Sequence, residues 1–319
     1  MNNFNNNQKI KKAVILAGGL GTRFLPATLA LAKELFPICE KPILMYHLED
    51  LAKAGVTDVL IVGNKLKEDS FSSFLNPSKE YMDKIISDGK LSFLEEYNDI
   101  MSKVKVSYIN QEVAEDYFSE VNKLDKKCRG SSIAILACKD WANGEPFMVF
   151  NGDDFCVYDD GRSVSGELIK VYDNTNDYII LGREVEIEKI SSYSSMKLGE
   201  KLTNENSYKL LDIIEKPKKE EAPSNIMGFA RYVFNADVFE KILVSKPNNK
   251  GEYCITDVIS EVAQNGNAST CIFTGNYFDC GSKLGLQMAG NYVLMQDKNN
   301  RDFIISELER LKNNLNKIN

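Results

Sequence analysis

Residues 11–19 read KKAVILAGG, a short apolar run that stops abruptly at two glycines. A run of that length, bounded by charge on one side and turn residues on the other, has the form of a strand buried on both faces of a parallel sheet. Working outward, residues 41–55, KPILMYHLEDLAKAG, carry helical spacing and stop at Gly55. Residues 57–64, TDVLIVGN, then give a second buried strand. Strand, loop, helix and strand in that order predict an α/β fold around a parallel sheet.

The remainder extends the pattern. Residues 66–103 are polar and helical in character, and 103–110, KVKVSYIN, read as a strand. Residues 131–144, SSIAILACKDWANG, read as a helix, and 145–154, EPFMVFNGDD, as a strand that ends in an acidic loop. Further strands are expected at 177–185, 208–215 and 226–234. Helices are expected at 235–244, with Asn235 or Asp237 as N-cap, and at 255–266. Residues 268–281 read as a strand or a hairpin. No internal repeat and no clear linker divide the chain. The expected organisation is a disordered Asn-rich tail over residues 1–9, one domain over 10–300 and a C-terminal helix over 301–319.

Composition narrows the function classes. The 319 residues include 39 basic and 46 acidic side chains, a net charge of −7, which is the wrong sign for sequence-independent nucleic-acid binding. No run of about 18 apolar residues exists to span a membrane, and residues 1–12 lack the apolar core of a signal peptide. The seven cysteines form no C-x-x-C pair, so the chain reads as cytoplasmic with reduced thiols. His47 is the single histidine and falls on the helical stretch at 41–55, where a core or helix-surface role is expected. Any catalysis must then come from carboxylates, lysines, arginines and backbone amides, with or without a hard metal ion.

The glycines after the first strand continue as Gly18-Gly19-Leu20-Gly21-Thr22-Arg23. Backbone N–H groups unshielded by a Cβ can approach an anion closely, so the segment is either a phosphate cradle or a plain tight turn. It is not a Walker loop, which would end in Gly-Lys-Ser/Thr, and the dinucleotide fingerprint needs glycine where Phe24 stands. Arg23 and Lys33 follow on a stretch that Pro26 and Pro37 prevent from being one helix. A guanidinium grips phosphate oxygens bidentately and an ammonium is a movable point charge; the alternative for each is a solvated surface cation.

Taken together, residues 13–46, AVILAGGLGTRFLPATLALAKELFPICEKPILMY, resemble the opening of the sugar-1-phosphate nucleotidylyltransferases, whose pattern is A-G-G-x-G-T-R, then P-x-T-x-A-x-x-K-[EQ]-x-x-P and K-P. Four later segments extend the resemblance. Asn151-Gly152-Asp153-Asp154 ends a buried strand; Glu215-Lys216-Pro217 ends another; APSNIMGFARYVF (222–234) and FDCGSKLGLQM (278–288) are similar to segments of the uridylyltransferase branch. Read alone, these are an Asn-Gly turn, a charged turn closed by proline and a capping aspartate.

The resemblance implies a Rossmann-like nucleotidyltransferase fold with a mixed, mainly parallel central sheet flanked by helices. It implies a reaction in which UTP and α-D-glucose 1-phosphate give UDP-glucose and pyrophosphate. It assigns Ala17, Gly18, Gly19, Gly21, Thr22, Gln111 and Gly130 to the nucleotide. Arg23, Lys33, Asp153 and Lys216 are the implied catalytic residues, with Glu215 and Lys216 on the sugar phosphate and Asp153 and Asp279 on Mg2+. It also implies a homo-oligomer, with UTP and glucose 1-phosphate as small-molecule partners and neither nucleic acid nor membrane. Ile304, Leu308, Leu311, Leu315 and Ile318 form an apolar stripe on the C-terminal helix, which either docks on its own domain or makes the subunit contact.

Some positions depart from the pattern. Leu29 stands where the uridylyltransferases carry lysine, Ala230 precedes Arg231 where they carry glycine, and Ser132, Ile133 and Ser194 replace Gly, His and Gly. Residues 113–127 are inserted between Gln111 and Gly130. Leu29 is closer to the thymidylyltransferases, so a dTTP-dependent enzyme is the near alternative and a non-catalytic sugar-nucleotide sensor the distant one.

Overall fold

The apolar run after Lys11 forms the strand Lys12–Leu16 (β1), in which Ala13, Val14 and Ile15 are fully buried. The computed structural model describes residues 9–124 and 128–316, so the tail expected at 1–9 lies almost wholly outside the described residues. Pro26 and Pro37 break the following segment into single turns at Thr22–Phe24, Ala27–Leu29 and Lys33–Leu35. Two short paired strands, Pro37–Ile38 (β2) and Lys41–Pro42 (β3), lead into helix Ile43–Lys53 (α1). Its buried residues Leu44, Leu48 and Leu51 recur at spacings of four and three and pack beneath the sheet with Ile15.

Strand Asp58–Gly63 (β4) follows as expected. The polar stretch after it holds helices Glu68–Leu75 (α2), Lys79–Ser87 (α3) and Glu95–Lys103 (α4), and leads to strand Lys105–Asn110 (β5). The inserted segment begins with helix Glu112–Val121 (α5). Residues 131–144 form two short helices, Ser131–Leu136 (α6) and Lys139–Ala142 (α7), where the sequence suggests one. Between them the Cys138 amide and thiol both donate to the Ile135 carbonyl, a three-residue turn that ends the α-helical ladder.

The second half contributes strands Phe147–Asn151 (β6) and Asp154–Val157 (β7), helix Val164–Thr175 (α8), and strands Tyr178–Glu184 (β8), Ser194–Lys201 (β9), Ser207–Glu215 (β10) and Ile226–Phe234 (β11). Helices Val238–Val244 (α9) and Ile255–Gln264 (α10) come next. The stretch at 268–281 is neither one strand nor one hairpin. Ala268–Ile272 (β12) joins the main sheet, whereas Asn276–Asp279 (β13) pairs with β7. Helices Lys283–Leu294 (α11) and Lys298–Leu315 (α12) end the described chain. Strand β9 has no apolar run to announce it; only its first three residues, Ser194, Ser195 and Met196, are buried.

The main sheet among the described residues runs β5-β4-β1-β6-β11-β8-β12-β10-β9. Strands β5, β4, β1 and β6 are mutually parallel, β12 is parallel to β8, and β10 and β11 run against their neighbours. A further antiparallel pairing joins β9 back to β11 through Ser194 and Gly228, so β11, β8, β12, β10 and β9 close on one another. Alternate residues of β1 and β6 feed two apolar layers: Ile15, Met148 and Phe150 on the α1 side, Val14, Phe147 and Val149 on the side of α5 and α6.

Beneath the site lies a buried polar network. The Arg231 guanidinium, 2% exposed, donates to Asp50 Oδ2 and to His47 Nδ1, each at 3.3 Å, and lies 4.6 Å from the centre of the Phe150 ring. Arginine only donates, so Nδ1 accepts and the imidazole proton belongs on Nε2. Burial and the Arg231 charge hold the His47 pKa down to about 3, and the ring is neutral. Asp50 also accepts from the Val164 amide at 2.8 Å, the Ser165 amide at 3.0 Å and the Ser165 hydroxyl, which ties α1 to the first turn of α8. Asp50→Ala would leave the Arg231 charge buried without its carboxylate. A loss of about 3–5 kcal/mol is expected from the urea midpoint and slope; a change below about 1 kcal/mol would show that the network contributes little to the fold.

Candidate active site

In open α/β sheets the ligand crevice lies at the carboxyl ends of adjacent strands whose connections leave in opposite directions. Strand β1 connects through α1 to β4 on one side, and β6 connects through β7 and α8 to β8 on the other. Their parallel register pairs Leu16 with Asn151. One residue further, the Gly152 amide donates to the Leu16 carbonyl at 2.9 Å. The glycine loop after β1 and the acidic loop after β6 therefore run side by side.

Within the glycine loop, Gly21 takes a left-handed φ of +68° and its carbonyl accepts from the Thr28 hydroxyl at 3.1 Å. This closes the Thr22–Phe24 turn against the next one. Lys33 reaches back under the loop: its Nζ lies 3.7 Å from the point a Cβ on Gly19 would occupy, and it pairs with Asp153 Oδ2. Gln111, just past the end of β5, lies over Gly18, and its side-chain amide fills the space a Cβ there would take. Arg23 is at the rim, its guanidinium donating to the Gly281 carbonyl at 3.0 Å and lying 4.0 Å from Asp279 Oδ2.

Asp153 and Asp279 come from distant parts of the chain and meet at Gly281. A Cβ on that glycine would lie 2.4 Å from Asp153 Oδ2 and 3.0 Å from Asp279 Oδ1, so both carboxylates face one small volume that only glycine leaves open. The Gly281 amide donates to Asp279 Oδ1 at 3.0 Å. The neighbouring Asp154 points inward and accepts from the Tyr277 hydroxyl at 3.0 Å; burial, with Asp153 adding, pushes its carboxyl up to about 7. Two converging carboxylates fit Mg2+, which takes oxygen ligands, uses few protein groups and completes its shell with water and phosphate. Among the described residues no group of three or more His, Cys, Asp or Glu side chains is arranged to hold a metal ion.

Glu215 and Lys216 line a separate cavity of about 610 Å3 together with Asn248, Glu252 and Asp257. Glu215 Oε2 accepts from the Thr256 hydroxyl at 2.9 Å, and Lys216, in a left-handed conformation with φ +46°, extends its ammonium to solvent 3.8 Å from Glu215. Burial raises the Tyr232 phenol, and the Glu215 and Asp154 carboxylates add to the rise. Gly130 packs against the Tyr253 backbone. Its φ is +129°, and a Cβ there would strike the Tyr253 carbonyl at 2.2 Å; the flanking Arg129 and Ser132 bond to the same Tyr253 backbone.

The sequence reading passed over several residues that shape this site. Glu34 stands in the [EQ] position of the quoted pattern but carries no assigned role. It is buried with Lys67 at 3.0 Å and Lys33 at 3.9 Å; burial raises its carboxyl while both lysines pull it down. Lys67 and Asn64 sit at the edge of a polar helical stretch, where a solvated surface is the ordinary expectation. Thr256 and Gly281 carry no local motif that predicts their contacts.

The family model described as "Nucleotidyl transferase" matches residues 12–294. The chain is 32% identical to UTP–glucose-1-phosphate uridylyltransferase 2 of Staphylococcus saprophyticus, over 96% of this chain and 100% of that protein. Its fold superposes on a solved UDP-glucose pyrophosphorylase in complex with UDP-glucose with a TM-score of 0.77, at 30% identity, covering 90% of this chain and 100% of the other. A UTP-bound enzyme of that kind from Acinetobacter baumannii matches with a TM-score of 0.79 and 25% identity, covering 94% and 99%.

Asp153 lies at a strand end with its carboxylate on the crevice side, so Asp153→Asn should leave folding intact. It should lower kcat in Mg2+ by at least ~10²-fold, the usual cost of removing one electrostatic stabiliser of a transition state. Near-wild-type turnover with a normal melting temperature would remove Asp153 from the reacting centre.

Proposed function

We infer the reaction from the premise that the chain belongs to the nucleotidyl transferase family. The chain is a UTP–glucose-1-phosphate uridylyltransferase: UTP and α-D-glucose 1-phosphate give UDP-glucose and pyrophosphate. The observation that carries this reading is the β1–β6 register, with the glycine loop, Lys33 and Asp153 side by side at one crevice. The uridylyltransferase and UDP-glucose pyrophosphorylase names of the relatives support UTP over dTTP.

The sugar phosphate attacks the α-phosphorus of UTP in line, and pyrophosphate leaves from the opposite side. A phosphate monoester has its second pKa near ~6, so the nucleophile is already largely a dianion at neutral pH. It needs no general base, and the histidine is not available as one: His47 is buried, neutral and engaged by Arg231. Catalysis is then positioning and charge neutralisation. Backbone amides of Gly18, Gly19, Gly21 and Thr22 receive the nucleotide phosphates, with Ala17 at the loop's base. Arg23 and Lys33 neutralise charge on the departing pyrophosphate. Gln111 and Gly130 belong to the nucleoside side. Lys216 holds the attacking phosphate, and Glu215 accepts hydrogen bonds from the glucose hydroxyls. Asp153 and Asp279 hold Mg2+, which when bound supplies positive charge to the phosphate oxygens.

The protein acts as a homo-oligomer whose contact includes α12. Arg301 Nε donates to the Met295 carbonyl and anchors the start of that helix, but none of its residues is buried. Leu308, Leu311 and Leu315 are all exposed and Ile304 is half-buried, so most of the stripe is left uncovered by the described residues; Ile318 lies outside them. About two heptads are too few for a self-sufficient coiled coil in water, so a subunit contact here would need support from other surfaces.

Two measurements test these readings. Pyrophosphate release over a matrix of nucleoside triphosphates and sugar 1-phosphates should give the highest kcat/KM for UTP with glucose 1-phosphate. A higher value with dTTP would make the chain a thymidylyltransferase, and no release with any pair would make it a sensor. Removing residues 301–319 should lower the mass seen by light scattering and leave turnover measurable. An unchanged mass, or a monomeric full-length protein, would sink the assembly proposal.

A further inference from the structure

The glycine loop is gripped from behind by its carbonyl oxygens. Lys67 Nζ donates to the Ala17 carbonyl at 3.2 Å, and Asn64 Nδ2 donates to the Gly18 carbonyl at 2.6 Å. A trans peptide is planar, with its C=O and the following N–H pointing in opposite directions. Holding the Ala17 oxygen against Lys67 therefore turns the Gly18 N–H away from Lys67, and holding the Gly18 oxygen against Asn64 does the same for the Gly19 N–H. Among the described residues neither N–H meets a protein acceptor. We propose that Asn64 and Lys67 are positioning residues that aim the Gly18 and Gly19 N–H groups at the phosphates of the bound nucleoside triphosphate. The inference rests on the reaction proposed above and adds the device that presets its anion cradle.

Each of the two is itself fixed in place. Asn64 Oδ1 accepts from the Leu66 amide at 3.0 Å, so the amide orientation that donates to Gly18 satisfies both ends of the side chain. The Asn64 carbonyl accepts from the Tyr108 hydroxyl at 2.6 Å. Lys67 is 6% exposed and its ammonium is neutralised by Glu34, whose oxygens lie 3.0 and 3.3 Å away. A buried ammonium without that carboxylate would carry a large desolvation cost. Glu34 follows Lys33 in the chain, so one carboxylate sets both the lysine behind the loop and the lysine beneath it. A preset loop needs no reorganisation when the anion arrives, and this is where such amides gain most of their effect.

Two variants separate positioning from simple structural support. Asn64→Asp keeps the oxygen that Leu66 uses and replaces the Gly18 donor with a second acceptor. The double variant Lys67→Met/Glu34→Gln removes the Ala17 donor without stranding a buried charge. Each should raise KM for UTP by about tenfold, as expected for one or two weakened hydrogen bonds to a charged ligand. KM for glucose 1-phosphate at saturating UTP should stay within about twofold. A variant with a lowered melting temperature and an unchanged KM for UTP would reduce the pair to a structural role and overturn the proposal. A second measurement uses the wild-type protein: inorganic pyrophosphate with Mg2+ should shift the Gly18 and Gly19 amide resonances. Unshifted resonances at saturating pyrophosphate would overturn it even if neither variant folds. This readout needs no turnover, so a protein whose amides respond but which does not use UTP fails the proposed reaction alone.

Discussion

The candidate site depends on one backbone hydrogen bond, from the Gly152 amide to the Leu16 carbonyl. It extends the parallel pairing of β1 and β6 by one residue past the end of the ladder. Without it the two loops that follow would be free to diverge. A Cβ on Gly152 would lie 2.7 Å from Glu34 Cγ and 3.1 Å from the Leu16 carbonyl, so the bond and the buried Glu34 carboxylate both require glycine at that point. From it follow the closeness of Asp153 to Lys33 and the path of Lys33 beneath the glycine loop. The closeness of the glycine loop to the acidic loop is thus a product of strand register. Side-chain chemistry then acts on a geometry already fixed by the sheet.

The charges around that register fall into two tiers. The lower tier, Arg231, Asp50 and His47, is sealed in the core and locks α1, α8 and β11 under the floor of the site. Its arginine is spent on structure, and its histidine is unavailable for proton transfer. The upper tier, Arg23, Lys33, Asp153 and Asp279, is partly open to solvent and free to trade its partners for a ligand's charges. Glu34 and Lys67 lie between the tiers: buried like the first, but bonded to the loop that serves the second.

Much of this was legible in the sequence wherever local pattern and structure coincide. The strand before the glycines, the helix ending at Gly55 and the strand before Asp153 follow from apolar runs and their stops, and the family resemblance follows from the long irregular motif at 13–46. Strand β9 was not legible, because its pairing is decided by β10 and β11 and its own residues are mostly polar. The break between α6 and α7 was hidden because Cys138 bonds back to Ile135 inside an otherwise helical composition. Residues 268–281 could not be divided between two sheets, since β13 finds its partner more than a hundred residues earlier at β7. Lys67 and Asn64 were missed for the same reason. Their roles are set by contacts to residues about fifty positions away, and nothing in a polar stretch distinguishes a buried lysine from a solvated one.

The closure of the sheet explains how two distant regions can serve one reaction. The C-terminal ends of β1 and β6 supply the cradle and the carboxylates, whereas Glu215 and Lys216 end β10, a strand that runs the other way. In a flat sheet of this order β10 would end far from the crevice. Here β11 pairs with β6 through Arg231–Phe234, and beyond its irregularity at Phe229–Tyr232 it pairs instead with β9 through Met227 and Gly228. Strand β9 thereby takes up the side of β11 that β6 has vacated, just past the end of β6. Because Ser194 of β9 is paired with both Gly228 and Glu215, closing the ring carries Glu215 back toward the mouth of the crevice. The contact is close at Gly228, where a Cβ would lie 2.8 Å from both Ser194 Oγ and Met196 Cε and those side chains would have to shift. The glycine that closes the ring is thus also the one that sets how near Glu215 comes to the loops after β1 and β6.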